Sequence, residues 1–198
     1  MSRRAVFLDR DGTINREVLF LGDAALVVLE KAAPGGLRLL QGAGFDLIVV
    51  SNQSGVARGF FDEDAVRRVN ATLSGMLRAE GVELSRFYFC PHHAEGAVPK
   101  YAIGCDCRKP APGLLLSAAR DADIDLKGSY CVGDSARDVE AGRAAGTRTV
   151  LVLTGFGAAS LAEVESRSLA DYVAEDLAAA ARWIIKDCSG SGGDIVDS

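Results

Sequence analysis

Short apolar runs separated by amphipathic stretches organise this chain. Ala5-Val6-Phe7-Leu8 is the first, and an unbroken run of this length suits a buried strand. Phe45 to Val50 reads as a second strand, Phe87 to Phe89 as a third and Ser129 to Val132 as a fourth. Thr147 to Val152 gives a fifth, and Tyr172-Val173 a short sixth. Between the second and third, Ala65, Val66, Val69, Leu73, Met76 and Leu77 recur at helical spacing, which predicts a helix over 62–80 with one apolar face. Asp62 supplies its N-cap and Gly81 its stop. Shorter helices are predicted at 37–41, 113–122, 138–145 and 176–186. Strands alternating with helices imply βα units and an α/β fold with a doubly wound parallel sheet. The residues from Asp187 to Ser198 are rich in Gly, Ser and Asp and read as a disordered tail, leaving 1–186 as a single domain.

Composition narrows the classes. A chain of 198 residues suits one domain, or one domain with a long insertion, and 48% hydrophobic with 25% charged residues fits a soluble globular protein. A net charge of -5 provides no overall basic field for nucleic acid or a membrane surface. Arg3 and Arg4 precede an apolar run too short for a signal-peptide core, and no segment is long enough to span a bilayer, so the cytoplasm is the expected location. The five cysteines do not suggest a disulfide framework in such a chain. Cys131 reads as a small core residue and Cys188 as a free thiol in the tail.

The polar residues that follow the strands carry the chemistry. Asp9 and Asp11 flank Arg10 directly after the first strand, and Gly12 allows a sharp exit. Open parallel sheets place ligands at this end. Two carboxylates so close are tolerable if a cation sits between them or one stays protonated. Either condition suits phosphate chemistry, in which one carboxylate attacks phosphorus and the other moves protons. The second strand runs into Ser51-Asn52-Gln53-Ser54-Gly55, where a hydroxyl and backbone N–H groups can cradle a phosphate. The fourth runs into Gly133-Asp134-Ser135-Ala136-Arg137-Asp138. Asp134 is the better candidate for a direct Mg²⁺ ligand; Asp138 either ligates through water or caps the next helix. A separate set, Cys90-Pro91-His92 and Cys105-Asp106-Cys107, offers three thiolates and an imidazole, a closed tetrahedral Zn²⁺ site of structural type. A metal would order the loop 94–104, which has little apolar content of its own. His93 competes with His92 as the fourth ligand.

Asp9-Arg10-Asp11-Gly12-Thr13, Ser51, Lys109 and the Asp134/Asp138 pair, in that order, resemble the four motifs of the haloacid dehalogenase superfamily of phosphatases. The resemblance implies Asp9 as nucleophile, Asp11 as acid and base, Ser51 and Lys109 as phosphoryl ligands, and Mg²⁺ on Asp9, the Asp11 carbonyl and Asp134. With the zinc loop at 90–107, the chain is most similar to a capless subfamily comprising heptose-bisphosphate and histidinol-phosphate phosphatases. That pattern favours His92 over His93 as the zinc ligand. Val50 to Gly59, Cys90 to His93 and Cys105 to Pro110 are closest to the heptose-bisphosphate branch, whose substrate would be cleaved at C7. Arg58 and Arg108 would hold a second phosphate or the sugar, and Asn52 and Gln53 would also bind substrate. The expected partner is a small phosphorylated sugar, without nucleic acid or membrane, and the expected state a monomer. Val18-Leu19-Phe20-Leu21 departs from the more polar loop of that branch, and the choice of sugar with it. A non-enzymatic zinc module binding nucleic acid would need basic residues near its ligands, and between Cys90 and Cys107 only Lys100 is basic.

Overall fold

The computed structural model describes residues 3–190. Six strands, β1 (Ala5–Leu8), β2 (Asp46–Asn52), β3 (Arg86–Cys90), β4 (Tyr130–Gly133), β5 (Arg148–Val152) and β6 (Tyr172–Ala174), form one sheet in the order β3-β2-β1-β4-β5-β6. Every neighbouring pair is parallel. The helices are α1 (Ala33–Gly42), α2 (Glu63–Ala79), α3 (Gly113–Ala122), α4 (Ala136–Ala145), α5 (Gly157–Ser166) and α6 (Leu177–Gly190). The strand order reverses between β1 and β4, and a doubly wound sheet opens its ligand crevice at that point, beyond the strand C-termini.

Strand side chains alternate between two helical layers, as a period of two requires. Val6 and Leu8 of β1, Leu47 and Val49 of β2 and Val132 of β4 pack in one core with Leu37 and Leu40 of α1, Val69 and Leu73 of α2, and Ile184 of α6. Ala5, Phe7, Ile48, Val50 and Cys131 face the other core, with Leu114, Leu115 and Ala118 of α3 and Ala141 of α4. The central strands are therefore covered on both faces, which is why they read as continuous apolar runs. Full burial of a Phe7- or Leu8-sized side chain stabilises the fold by roughly 1.5–3 kcal/mol.

The helices follow local signals with three exceptions. Asp62 caps α2 as expected, its Oδ1 accepting from Ala65 N at 2.8 Å. Helix α1 begins four residues earlier than its apolar spacing indicates, at Ala33, with Pro34 in its first turn. Gly36 lies in that added turn, where a Cβ would stand 2.6 Å from the Leu177 carbonyl oxygen; the close α1–α6 approach requires its absence. Helix α5 carries little apolar periodicity, burying only Gly157 and Val164, and periodicity alone does not reveal it. Finally, Asp187 to Gly190 are the last turn of α6 rather than the start of a tail. Asp187 accepts from the Tyr130 hydroxyl at 2.7 Å and pairs with Arg148, and Cys188 packs against the first core. The rest of the predicted tail, 191–198, lies outside the described residues. Among the described residues no helix is long and apolar enough to cross a membrane.

Candidate active site

Asp9 leaves β1 with its N–H still bonded to Val132 O of β4 at 2.9 Å, so the last register of the sheet fixes the start of the site. The ammonium of Lys109 is aimed at it from the turn before α3. Lys109 Nζ lies 2.9 Å from Asp9 Oδ1, 2.6 Å from Asp138 Oδ1 and 2.7 Å from the Val50 carbonyl oxygen, and the side chain is 2% exposed. All three ammonium protons are thus committed. Burial works to lower the Lys109 pKa, but Asp138 and Asp9 outweigh it and hold the lysine above its ordinary value.

Asp138 serves Lys109 and the helix together. Its Oδ2 accepts from Ser135 N at 3.0 Å and from Ser135 Oγ at 2.5 Å, closing a capping box at the start of α4. The capping alternative is therefore realised, and its second oxygen is the counter-ion of Lys109. Asp134 lies one turn earlier, its Oδ2 accepting from Phe156 N at 2.8 Å. Gly12 and Gly155, both with positive φ, close over this carboxylate; a Cβ on either would stand 2.0 or 2.1 Å from Oδ2.

Electrostatics mark the centre as short of positive charge. One buried ammonium faces three carboxylates, Asp9, Asp134 and Asp138, whose oxygens lie within 4.8 Å of one another. Burial, with repulsion from Asp138 and Asp11 against the pull of Lys109, raises Asp9 to about 6. Burial, then Asp9 and Asp138, raise Asp134 to about 8. A hard divalent cation bound by oxygen ligands would reverse both shifts, so the donor set fits Mg²⁺.

Asp11 has a different environment. Its oxygens accept from Arg10 Nη2 at 2.8 Å and Nε at 3.2 Å, from Asn15 Nδ2 at 2.9 Å and from Gln53 Nε2 at 2.9 Å. Gln53 Nε2 also lies 2.7 Å from Ser51 Oγ, tying Asp11 to the end of β2. Gln53 and Asn52, expected to bind substrate, line the cavity and also carry this supporting work. The Asn52 amide donates to Lys109 O and accepts from Lys109 N, each at 3.0 Å, and so places the lysine.

A cavity of about 330 Å³ opens over these groups, with Asp9, Asp11, Ser51, Lys109 and Asp134 on its floor. Val18, Leu19, Phe20, Phe61 and Phe156 give it apolar lining; Arg58, Arg108, Arg137 and His93 give it basic lining. Phe20 sits at φ 58°, its ring edge-to-face with Phe60 at 4.8 Å and the Arg58 guanidinium 5.7 Å above it. His93 is half-buried, with Nε2 3.2 Å from Arg58 Nη2. Arg108 Nη1 donates to His92 O at 3.2 Å. Glu17 also lines the cavity; burial, then Asp11 and Asp9, raise its carboxyl to about 7. Arg10, Glu17, Phe61 and Arg137 escape a reading by motif. Only the adjacency of Arg10 to both aspartates hints at its place.

The second cluster unites Cys90 at the end of β3 with His92, Cys105 and Cys107. The sulfurs are 3.1–3.5 Å apart, and His92 Nδ1 lies 3.4 Å from Cys107 Sγ and 3.7 Å from Cys90 Sγ. Four ligands around Zn²⁺ at 2.3 Å define a tetrahedron with edges of about 3.8 Å, so the set fits that ion in slightly contracted form. Burial and the neighbouring thiols push the Cys107 thiol up, a preference that a bound cation would reverse. His92, not His93, completes the set.

Comparison with known proteins places the chain in a family. A HAD-hydrolase-like family model matches residues 106–180. The D-glycero-beta-D-manno-heptose-1,7-bisphosphate 7-phosphatase of Escherichia coli is 41% identical over 175 residues, covering 88% of this chain and 90% of the relative. The D-glycero-D-manno-heptose-1,7-bisphosphate 7-phosphatase of Thermosynechococcus vestitus is 42% identical over 189 residues, covering 93% and 96%. The chain belongs to the D-glycero-D-manno-heptose-1,7-bisphosphate 7-phosphatase family. A D,D-heptose 1,7-bisphosphate phosphatase from B. bronchiseptica, solved with magnesium and phosphate, superposes with a TM-score of 0.82 at 33% identity, over 93% of this chain and 99% of that one. The fold is thus that of haloacid dehalogenase-like enzymes, as the motif order implies.

Proposed function

We propose that the protein hydrolyses D-glycero-D-manno-heptose 1,7-bisphosphate at C7 through an aspartyl-phosphate, in one catalytic domain that runs through the last turn of α6 at Gly190. The observation that carries the mechanism is the buried ammonium of Lys109 between Asp9 and Asp138, 2.9 and 2.6 Å from their oxygens. It holds Asp9 at the cavity floor with one oxygen available for in-line attack, and it stabilises the charge that builds on the phosphoryl group. Asp9 bonds to phosphorus as the bond to the C7 oxygen breaks, and Asp11 gives that oxygen its proton. Asp11 then takes a proton from water, whose oxygen attacks phosphorus and frees Asp9. Ser51 and the adjacent backbone N–H groups hold the phosphoryl oxygens throughout. Asp9, Asp134 and the carbonyl of Asp11 would hold Mg²⁺, which when bound neutralises charge on those oxygens; Asp138 would reach it only through water.

The basic lining of the cavity would receive the second phosphate. Arg58 Nε is buried without a partner among the described residues, and Arg108 is half-buried at the rim. Both present forked donors suited to an oxyanion. Remote binding of this kind positions the reacting end. Zn²⁺ on Cys90, His92, Cys105 and Cys107 would keep the loop closed, and because Arg108 and Lys109 follow Cys107 directly, it would also keep both cations in place.

Phosphate release from heptose 1,7-bisphosphate, fructose 1,6-bisphosphate and histidinol phosphate tests the reading. The heptose ester should have the highest kcat/KM, and Arg108→Ala should reduce that preference at least tenfold, the loss of about one charge-assisted contact. Histidinol phosphate as the best substrate, or a preference untouched by Arg108→Ala, would refute it.

A further inference from the structure

Arg10 has no part in the mechanism above, yet it is fully buried at 0% exposure. Its side chain does not form part of the cavity wall, whereas that of Asp11 does. One edge of the guanidinium meets Asp11, Nη2 to Oδ2 at 2.8 Å and Nε to Oδ1 at 3.2 Å. Nη1 donates to Asn70 Oδ1 at 3.0 Å, from the middle of α2. A guanidinium tied at both ends and cut off from solvent can neither reach substrate nor swing away. Its planar fork sets the plane as well as the position of the carboxylate it grips.

We propose that Arg10 is a positioning residue for proton transfer, carrying the placement of α2 through Asn70 to the Asp11 carboxylate. The inference rests on the phosphatase reading. In the first step an Asp9 oxygen bonds to phosphorus, the bond from phosphorus to the alcohol oxygen breaks, and its electron pair stays on that oxygen, which takes the Asp11 proton. Proton transfer succeeds only within a narrow range of distance and direction, and general acid catalysis contributes about 10²- to 10⁴-fold. Asn15 and Gln53 hold Asp11 from other sides but are themselves neutral amides; Arg10 is the one cationic, bidentate donor to this carboxylate among the described residues. A lysine at position 10 keeps the charge and loses the fork.

The test is a double-mutant cycle on heptose 1,7-bisphosphate, read as single-turnover formation of the phosphoenzyme. Arg10→Lys should lower the rate about tenfold to a hundredfold with KM changed less than about twofold. In an Asp11→Asn background the same substitution should cost less than about twofold, because the group it positions no longer donates a proton. Asn70→Ala should repeat the pattern with about a threefold to tenfold loss, and it serves if Arg10→Lys fails to fold. Equal losses in both backgrounds would make Arg10 a structural residue and overturn the inference, as would wild-type rates in Arg10→Lys. A wild-type chain inactive on every phosphomonoester would instead remove the phosphatase reading, and this inference with it.

Discussion

Replacing the metal-binding candidate Asp134 by Asn should make the metal-free protein more stable while abolishing its response to Mg²⁺. Burial and the neighbouring Asp9 and Asp138 raise the Asp134 carboxyl from 3.8 to about 8. At pH 7 the folded chain therefore keeps a proton that the unfolded chain releases. Because pH 7 lies about three units above the ordinary value, keeping that proton costs about 4 kcal/mol there. The sign follows from the raised folded pKa: the penalty is fully present above about pH 8 and is relieved as pH falls toward 4. Asn removes the titrating group and can still accept from Phe156 N, but it brings an amide NH₂ against Asp9 and Asp138. A net gain of about 2–4 kcal/mol is expected, a rise in Tm of roughly 5–15 °C for a chain of this size. Thermal unfolding in EDTA at pH 7 measures it directly. Mg²⁺ should stabilise wild type by an amount that grows with its concentration, and leave Asp134→Asn unmoved. From pH 8.5 to 5 in EDTA, wild type should gain more than the variant. A variant that unfolds below wild type in EDTA, or one that Mg²⁺ stabilises equally, would show that charge crowding at this site is not what the geometry implies.

Two other substitutions separate chemistry from support. Asp9→Asn should keep the fold, since the amide oxygen still accepts from Lys109, and lose at least about 10⁴-fold in turnover with the nucleophile gone; phosphate release, with mass spectrometry to exclude deamidation, checks it. Cys107→Ser should release about one Zn²⁺ per chain and lower kcat/KM about tenfold or more, because Arg108 and Lys109 lose their anchor. Metal analysis alongside the assay decides it: full activity without zinc would end the supporting role.

What could be read in advance, and what could not, divides by distance along the chain. Asp9 and Asp134 were legible because each directly follows a strand, and a strand-end carboxylate is a local feature. The cluster of Cys90, His92, Cys105 and Cys107 was legible because its spacing is local too. The supporting contacts are not local. Asn52 grips Lys109 across 57 positions, and Arg10 meets Asn70 across 60. Neither pairing leaves a periodic trace: Asn52 reads as part of a phosphate cradle, Arg10 as one charge among several. Asp138 shows the same limit within a single residue, since capping the next helix is a local alternative open to the sequence and its bond to Lys109 is not. Helix α5 was missed for another reason, because it buries too little to impose a pattern. The strand ends thus set where the reactive groups stand, and tertiary partners set how each is aimed. Lys109 is held by Asn52 of β2, Arg10 beside Asp11 by Asn70 of α2, and Asp134 by the approach of residues 154–156 after β5. The placement of Asp9 is then a property of the packed sheet and helices together, and substitutions far from the cavity, such as Asn70→Ala, become informative about the proposed chemistry.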